Sequence, residues 1–291
     1  MLNFTPDTED AFTLYKKAVS RKTDDAEKKE LQGIEINIKS LYNVYKASYD
    51  TNTVDLLQSD LEAARHKDAL LNLYSSKCAL VKHFRERFFK RNPQTYNNVC
   101  PYCTIGEAST TEHILPKENY PEYAVDVLNL IPACSGCNSL KGEDLHNKAG
   151  ERFFINYYTD SLPNVQYLFV SFTVTGDAIK GSYYLDNSSG QVDKDLFALI
   201  QRHYSKFNLV GKDSRFDSKA IQLISEIKNM YLNEEFESGK EYDAFAAKQL
   251  RKCDMDSKSY GINHWRVVLY RSAAESSVFK DYVKGHSDKW V

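Results

Sequence analysis

The fold of this chain is decided by the stretch that opens with Cys100-Pro-Tyr-Cys103 and closes with Cys134-Ser-Gly-Cys137, with 30 residues between the two pairs. A Cys-x-x-Cys turn brings two sulfurs to one metal ion, and two such turns complete a closed tetrahedral site. The spacing therefore predicts a structural zinc. Two alternatives stay open: four unpaired thiols in a small core, and a zinc ribbon that only folds a loop or binds nucleic acid.

Two short extended segments are expected between the cysteine pairs, at residues 109–115 and 125–131. The loop that joins them contains two prolines and two tyrosines. A helix is expected to begin near the second cysteine pair and to run toward His146. The segment is therefore predicted to be strand, loop, strand and helix, with its ends joined by zinc.

One histidine of this segment is the candidate for acid–base chemistry. Glu112 precedes His113, and successive side chains of a strand point to opposite faces, so a bend is needed for the two to cooperate. A neutral imidazole with a pKa near 6.5 is suited to accept a proton from water at neutral pH. Asn129 and Asn138 bring two amides into the same folded-back segment.

The residues from Cys100 to Gly142 resemble the motif of the HNH endonucleases, the ββα-metal nuclease superfamily. The chain reproduces in order the Cys-x-x-Cys pair, Glu-His-x-x-Pro-Lys, Asn-Leu, and a second pair followed by Asn and Lys. The resemblance implies that His113 is the general base, and that Asn129 ties the loop and holds the histidine in its orientation. It also implies that Glu112 and Asn138 bind one catalytic divalent ion.

Two positions depart from the usual family pattern. Glu112 stands where aspartate is common, and Asn138 stands where histidine is common. Because an amide oxygen is a hard ligand, these residues favour Mg²⁺ or Mn²⁺ as the catalytic ion. The resemblance also marks Lys117 and Lys141 as candidate phosphate contacts.

Charge is distributed unevenly along the chain. The net charge is -2, and residues 100–150 carry 3 basic and 7 acidic side chains, a local charge of -4. Attraction for a polyanion must therefore come largely from other segments. The basic helix expected at residues 77–91 supplies five candidate nucleic-acid contacts, although a solvated helix face is the alternative. They are Lys82, Arg85, Arg87, Lys90 and Arg91.

Helices are expected to dominate both flanks, so the chain is predicted to be α+β and mostly helical. The first flank is read as a helix start at 6–9, a helix at 24–49, an apolar stripe interrupted at 66–68, and the basic helix. The second begins with a hairpin at 164–186 around Thr175-Gly-Asp177, followed by helices at 195–204, 217–232, 241–252 and 264–282. The predicted domains are a helical domain at 1–95, the HNH core at 96–150 and a hairpin-plus-helices region at 151–291.

The predicted function is metal-dependent endonuclease cleavage of DNA with low sequence specificity. The layout is also loosely similar to HNH proteins of bacterial anti-phage defence, which implies an ATPase or another defence protein as partner. The alternative is a zinc-dependent nucleic-acid-binding protein or a partner-regulated effector that is inactive alone, and RNA stays open as a target. No apolar run is long enough for a membrane span, and isolated cysteines suit a reducing cytoplasm.

Overall fold

A computed structural model describes residues 2–74, 79–234 and 239–286. Its internal contacts separate an N-terminal unit, Asn3–Ser161, from a C-terminal unit, Leu162–Val291 with Met1–Leu2. The residues of the predicted helical domain and of the predicted HNH core therefore belong to one unit. The division of the chain into three domains stays a prediction. The α+β, mostly helical fold class is confirmed.

Short helices build the first part of the N-terminal unit. The side chains of Asp10, Asp24 and Asp60 accept hydrogen bonds from backbone N–H groups and so start three of them. The single helix expected at 24–49 is two helices, because Gly33 is a poor helix former and the chain breaks at Ile34. The helices are α1 (Ala11–Ser20), α2 (Asp25–Gly33), α3 (Glu35–Asp50), α4 (Leu61–Arg65) and α5 (Lys67–Leu71).

The basic helix is α6 (Ala79–Arg91). Its predicted apolar side is confirmed, since Leu80, Val81, Phe84 and Phe88 are all buried. The predicted beginning of this helix at Lys77, and the isolated Cys78, lie outside the described residues.

The central segment forms a two-stranded antiparallel sheet followed by a helix: β1 (Thr110–His113), β2 (Leu130–Ala133) and α7 (Ser135–Lys141). The second strand starts later than expected, because Asp126 accepts a hydrogen bond from Leu128 N and caps a 3-10 turn at Val127–Asn129. Helix α7 also stops short of His146, because Gly142 leaves the helical conformation with a φ of 54°. The predicted order of strand, loop, strand and helix is confirmed.

The loop between β1 and β2 rests on the aromatic core of the N-terminal unit. The Tyr45 ring lies 4.8 Å from the Tyr123 ring, centroid to centroid, and both are buried. The Tyr45 hydroxyl also donates to Asn129 Oδ1 at 3.1 Å. Helix α3, which carries Tyr45, therefore supports the loop that precedes β2.

The C-terminal unit contains the predicted hairpin, β3 (Leu168–Thr175) and β4 (Ala178–Leu185), which turns at Gly176-Asp177 with a φ of 59° at the glycine. Helix α11 packs against β3 and α9 against β4. The helix expected at 264–282 is two helices, because Ser276 ends one and caps the next through Phe279 N. The helices are α8 (Lys194–Lys206), α9 (Arg215–Leu232), α10 (Gly239–Tyr260), α11 (Trp265–Glu275) and α12 (Ser277–Lys284).

Helix α10 extends beyond the predicted 241–252 and, at 22 residues, is the longest helix that the structure describes. It is amphipathic and charged along its length. Neither α10 nor any other helix of the described residues is both long and apolar enough to cross a membrane.

Candidate active site

The four cysteines of the two pairs meet in one buried cluster. Their Sγ atoms all lie within 4.8 Å of one another, and none of these cysteines is in a disulfide. The Sγ atoms of Cys103 and Cys134 are 3.8 Å apart. A zinc ion with bonds of about 2.3 Å to four sulfurs needs sulfur–sulfur distances of roughly 3.8 Å. The cluster therefore fits a tetrahedral zinc ion.

The backbone around the first pair is shaped to present both sulfurs. Cys100 N donates to Gly106 O at 2.9 Å, and Thr104 N donates to Cys100 O at 2.8 Å, which closes a tight turn. A Cβ atom at Gly106 would lie 2.8 Å from both Cβ and Sγ of Cys134. Only glycine lets the two cysteine turns approach this closely.

The buried cysteines also need a positive charge between them if all four are to be ionised. Burial raises the pKa of the Cys100 thiol, whereas hydrogen bonding to Cys100 lowers the pKa of Cys103 to about 7. Four adjacent thiolates cannot all be ionised in a buried site without a cation between them. With four sulfur ligands the ion has no open position, so its role is structural.

His113 ends β1 and is 4% exposed. Its Nε2 lies 2.9 Å from the carbonyl oxygen of Ala124. Because a carbonyl only accepts hydrogen bonds, Nε2 carries the proton and Nδ1 is the basic nitrogen of the ring. The Tyr74 ring packs edge-on against the imidazole, with centroids 4.5 Å apart.

The pKa of His113 lies below the value near 6.5 that the sequence suggests. Burial lowers it to about 3, with the positive charges of Lys141 and Lys117 acting in the same direction against the hydrogen bond to Ala124. The ring is therefore neutral at physiological pH and Nδ1 carries no proton, while the same burial makes this nitrogen a weaker base than a solvated imidazole.

Asn129 is fully buried and holds the loop between the strands. Its Oδ1 accepts from Leu115 N at 2.7 Å, and its Nδ2 donates to the carbonyl oxygens of Leu115 at 3.1 Å and Tyr123 at 3.2 Å. Tyr123 immediately precedes Ala124, whose carbonyl accepts from His113. The asparagine therefore fixes the segment that orients the imidazole, and it does so through backbone groups.

Glu112 forms a buried ion pair. Its Oε1 lies 3.2 Å from Lys141 Nζ, and the two side chains are 8% and 1% exposed. Burial raises the pKa of Glu112, and Lys141 opposes that shift. The ammonium faces Glu112 and not solvent, so the predicted phosphate contact of Lys141 would require this ion pair to open.

Asn138 lies in the first turns of α7, opposite the start of β1. Its Nδ2 donates to Thr110 Oγ1 at 3.2 Å, which leaves the amide oxygen as its ligand atom. Carboxylate and amide oxygens suit a hard cation, and Mg²⁺ commonly takes only one or two protein ligands. Glu112 and Asn138 therefore fit such an ion. Within residues 2–74, 79–234 and 239–286, the cysteine cluster is the only group of three or more Cys, His or carboxylate ligands.

A cleft of about 320 Å³ brings the candidate residues together. Glu112 and His113 both border it although they are neighbours on a strand, because β1 ends at the histidine. Lys117 also borders the cleft, and its ammonium forms an ion pair with Glu118. The cleft is lined by Tyr74, Thr110, Thr111, Glu112, His113, Pro116, Lys117, Glu118, Asn138, Gly142 and Glu143.

Sequence reasoning missed five of the side chains around this cleft: Tyr74, Thr110, Thr111, Glu118 and Glu143. Thr110 and Thr111 are part of β1 and carry no motif of their own. Glu118 and Glu143 lie within or next to the motif, where their position after Lys117 and Gly142 was the available signal. Tyr74 comes from the end of the helices before α6, and nothing in its local sequence marks it. Its hydroxyl donates to Thr111 O at 3.0 Å, so it is fixed against β1.

The five predicted contacts of the basic helix divide between two environments. Arg87 pairs with Asp7 at 2.6 Å and with Glu9 at 2.9 Å, and Arg91 donates to Thr8 Oγ1 at 2.6 Å. These two arginines hold the N-terminal segment. The remaining three, Lys82, Arg85 and Lys90, line an open groove on another side of α6.

Comparison with known proteins agrees with this geometry. Residues 100–144 match the family model for HNH endonucleases. The chain is 24% identical over 191 residues to protein ea31 of Escherichia phage lambda, covering 62% of each chain. It is 36% identical over 95 residues to Septu protein PtuB of Bacillus thuringiensis, covering 31% of this chain and 35% of that protein. The chain thus spans less than two thirds of either relative. No solved structure matches it.

Proposed function

We propose that the HNH endonuclease domain at residues 100–144 hydrolyses DNA phosphodiester bonds with a divalent metal ion and low sequence specificity. The observation that carries this proposal is the geometry at His113: its Nε2 lies 2.9 Å from the Ala124 carbonyl oxygen, and the ring borders the same cleft as Glu112 and Asn138. No element that reads base edges is evident from the sequence, which supports low specificity.

The residues of the cleft divide the work. His113 accepts the proton of the attacking water at Nδ1, the nitrogen that carries no hydrogen. The Ala124 carbonyl holds the opposite nitrogen and so fixes the tautomer. Asn129 is a positioning residue, because it binds the Tyr123 carbonyl next to Ala124 and does not border the cleft.

Glu112 and Asn138 would hold Mg²⁺ or Mn²⁺. When bound, such an ion neutralises the charge that develops on the phosphate and the leaving oxygen. The Lys141 ammonium, 3.2 Å from Glu112 Oε1, compensates the charge of this buried carboxylate when no metal ion is bound. The zinc of the cysteine cluster supplies none of this chemistry, since its four positions are filled by sulfur.

We place this activity in cytoplasmic anti-phage defence. The similarity to Septu protein PtuB supports that context. Cysteines that are not joined in disulfides suit the reducing cytoplasm. A nuclease that acts in a living cell has to be controlled, so we propose that an ATPase or another defence protein releases its activity. This favours, as a second candidate, an effector that is silent without its partner.

The test is cleavage of a supercoiled plasmid by the purified, zinc-loaded chain with Mg²⁺, with Mn²⁺ or without added divalent metal. We expect metal-dependent nicking by the wild type. General base catalysis contributes roughly 100-fold to 10,000-fold, so His113→Ala is expected to lose activity by about that factor.

The matched control is His264→Ala. His264 is also buried and its pKa is also lowered to about 3 by burial, but it lies in the C-terminal unit and does not border the cleft. It is expected to cut as the wild type does. Equal activity of wild type and His113→Ala would refute the assignment of the base. Uncut plasmid with fully zinc-loaded wild type would exclude an autonomous nuclease.

A further inference from the structure

Helix α6 presents three different faces. One is buried, and a second is held against the N-terminal segment by Arg87 and Arg91. The third consists of residues at intervals of three and four, which share one side of a helix. These are Lys82, Arg85, Glu86, Phe89 and Lys90, and all of them line the same groove.

The groove on this third face is open and has a volume of about 620 Å³. Its other wall is polar and uncharged, with the amides of Gln94, Asn97 and Asn98. The groove contains three cationic side chains and one carboxylate, that of Glu86. Lys82 and Lys90 are exposed, and neither pairs with a carboxylate among the residues that the structure describes. The aromatic ring of Phe89 is half-buried at the groove.

One residue of the groove, Arg85, contacts the backbone just before the catalytic cleft. Arg85 donates to the carbonyl oxygens of Ala108 and of Ser109, the latter at 3.2 Å. The next residue, Thr110, starts β1 and borders the cleft. Arg85 therefore holds the backbone one residue before the edge of the cleft.

We propose that this groove, formed by α6 and residues 94–98, binds an unpaired stretch of the DNA strand and leads it into the cleft. The inference rests on the proposed nuclease function and names its substrate class. Cations along a groove neutralise backbone phosphates, an aromatic ring stacks on exposed bases, and flexible amides hydrogen-bond to any of the four unpaired bases without selecting a sequence. A duplex hides its base faces, so only an unpaired strand uses all three kinds of side chain.

The test measures binding, by fluorescence anisotropy of a labelled single-stranded oligonucleotide and of a blunt duplex, without added divalent metal. For Lys82→Gln with Lys90→Gln we expect single-strand affinity to fall roughly 10-fold to 25-fold at 0.1 M salt. Each phosphate contact on a single strand contributes about 0.7 to the slope of log affinity against log salt. The slope should therefore become shallower by about 1.4, and duplex binding should not change.

The matched control is Lys16→Gln with Lys29→Gln. These lysines are exposed, lie on α1 and α2, and do not line the groove. The double substitution changes the net charge by the same amount, and both probes should bind as to the wild type. An equal loss in this control would show a general charge effect and would overturn the assignment of the groove.

Phe89 tests the stacking part of the proposal. Phe89→Leu keeps an apolar side chain but removes the ring, and it is expected to weaken single-strand binding roughly 5-fold to 100-fold, as loss of one stacked base does. Phe89→Tyr keeps a ring and should bind as the wild type does. Equal binding by the leucine variant, or an equal loss for the duplex probe, would overturn the proposal.

The result is independent of cleavage. If the groove variants lose single-strand binding while the wild type leaves the plasmid uncut, the groove inference holds and autonomous nuclease activity is excluded. If the wild type cuts but the groove variants bind single strands normally, the nuclease proposal holds and the groove inference fails.

Discussion

The two hairpins of this molecule are held together by different means. The β3–β4 hairpin pairs eight residues on each strand and closes through the tight turn at Gly176-Asp177. The β1–β2 hairpin pairs only four residues on each strand, and a long loop separates the strands. The short ladder is flanked by the cysteine cluster, with Cys103 before β1 and Cys134 directly after β2.

This difference shows how a short β-hairpin can still hold the candidate site residues in place. A long ladder with a two-residue turn gains its stability from its own backbone bonds and cross-strand pairs. A four-residue ladder gains less, so we expect it to depend on the cysteine cluster, which fits a zinc ion, and on the buried Asn129. The freedom of the long loop is what allows Ala124 to reach the histidine at the end of β1.

Removal of a zinc ligand is expected to have the largest effect. Zinc contributes about 10–16 kcal/mol to metal-dependent folds, which is comparable with the whole stability of a domain. Cys134→Ser should therefore lose zinc and the protection of β1 and β2 from hydrogen exchange, while β3 and β4 keep theirs. Cys253→Ser is the control, because this buried cysteine of the C-terminal unit is not in the cluster. Stoichiometric zinc in Cys134→Ser would contradict the predicted ligand set.

Each hairpin also has one buried asparagine that holds it. Asn129 makes four hydrogen bonds in the first, counting that from Tyr45. In the second, Asn263 Oδ1 accepts from Tyr167 N and Leu168 N, and its Nδ2 donates to Val165 O. At about 1 kcal/mol for each bond, Asn129→Ala should cost about 4 kcal/mol and Asn263→Ala about 3 kcal/mol.

Hydrogen exchange followed separately in the two units would locate these costs. Each variant should weaken its own hairpin and leave the other unchanged, and only Asn129→Ala should lower plasmid cleavage. If Asn263→Ala lost cleavage while the N-terminal unit kept its stability, the prediction that only the β1–β2 hairpin supports cleavage would be wrong.

The loop of the short hairpin should also make stability depend on pH. Burial raises the pKa of Asp126 to about 7, and that of Glu122 to about 7. The folded protein keeps these protons between about pH 4 and 7, where the unfolded chain has lost them. The free energy of unfolding of the N-terminal unit should therefore fall as pH rises through this range and level off above it.

Asp126→Asn isolates one of the two carboxyls. The amide oxygen can still accept from Leu128 N, but the side chain no longer titrates. At about 1.4 kcal/mol per tenfold change in proton affinity, the variant should be more stable than the wild type by roughly 2–4 kcal/mol at pH 8 and not at pH 4. Unfolding by denaturant at both pH values measures this. A parallel pH dependence in wild type and variant would assign the effect elsewhere.

The smallest effects are expected from two glycines. A Cβ at Gly181 in β4 would lie 3.1 Å from Ile224 Cδ1 and Val170 Cγ1, side-chain atoms that can shift. Gly181→Ala should cost about 1 kcal/mol. Gly106→Ala places its Cβ against Cys134 and should cost about 1–3 kcal/mol with weaker zinc retention, measured by competition with a chelating dye. Equal zinc affinity in both variants would show that the cysteine turns can separate.

Much of the site was predictable because its signals are local. Short stretches of sequence contain the two Cys-x-x-Cys pairs, the Glu112-His113 pair and the two asparagines. The buried side of α6 follows from helical periodicity. Strand and helix ends were predicted less well. The sequence permits several positions for these ends. The packing of the loop places the 3-10 cap at Asp126 and the end of α7 at Gly142.

The sequence by itself determined which side chains can bind zinc and which can act as a base. Only the tertiary structure decided the tautomer and the lowered pKa of His113, because both depend on Ala124 and on burial by distant segments. It likewise decided that Lys141 faces Glu112, that Tyr74 packs on the imidazole, and that α6 uses some basic residues internally while leaving Lys82 and Lys90 at a groove. Residue chemistry is encoded position by position, whereas solvent exclusion and partners arise only when remote parts of the chain pack together.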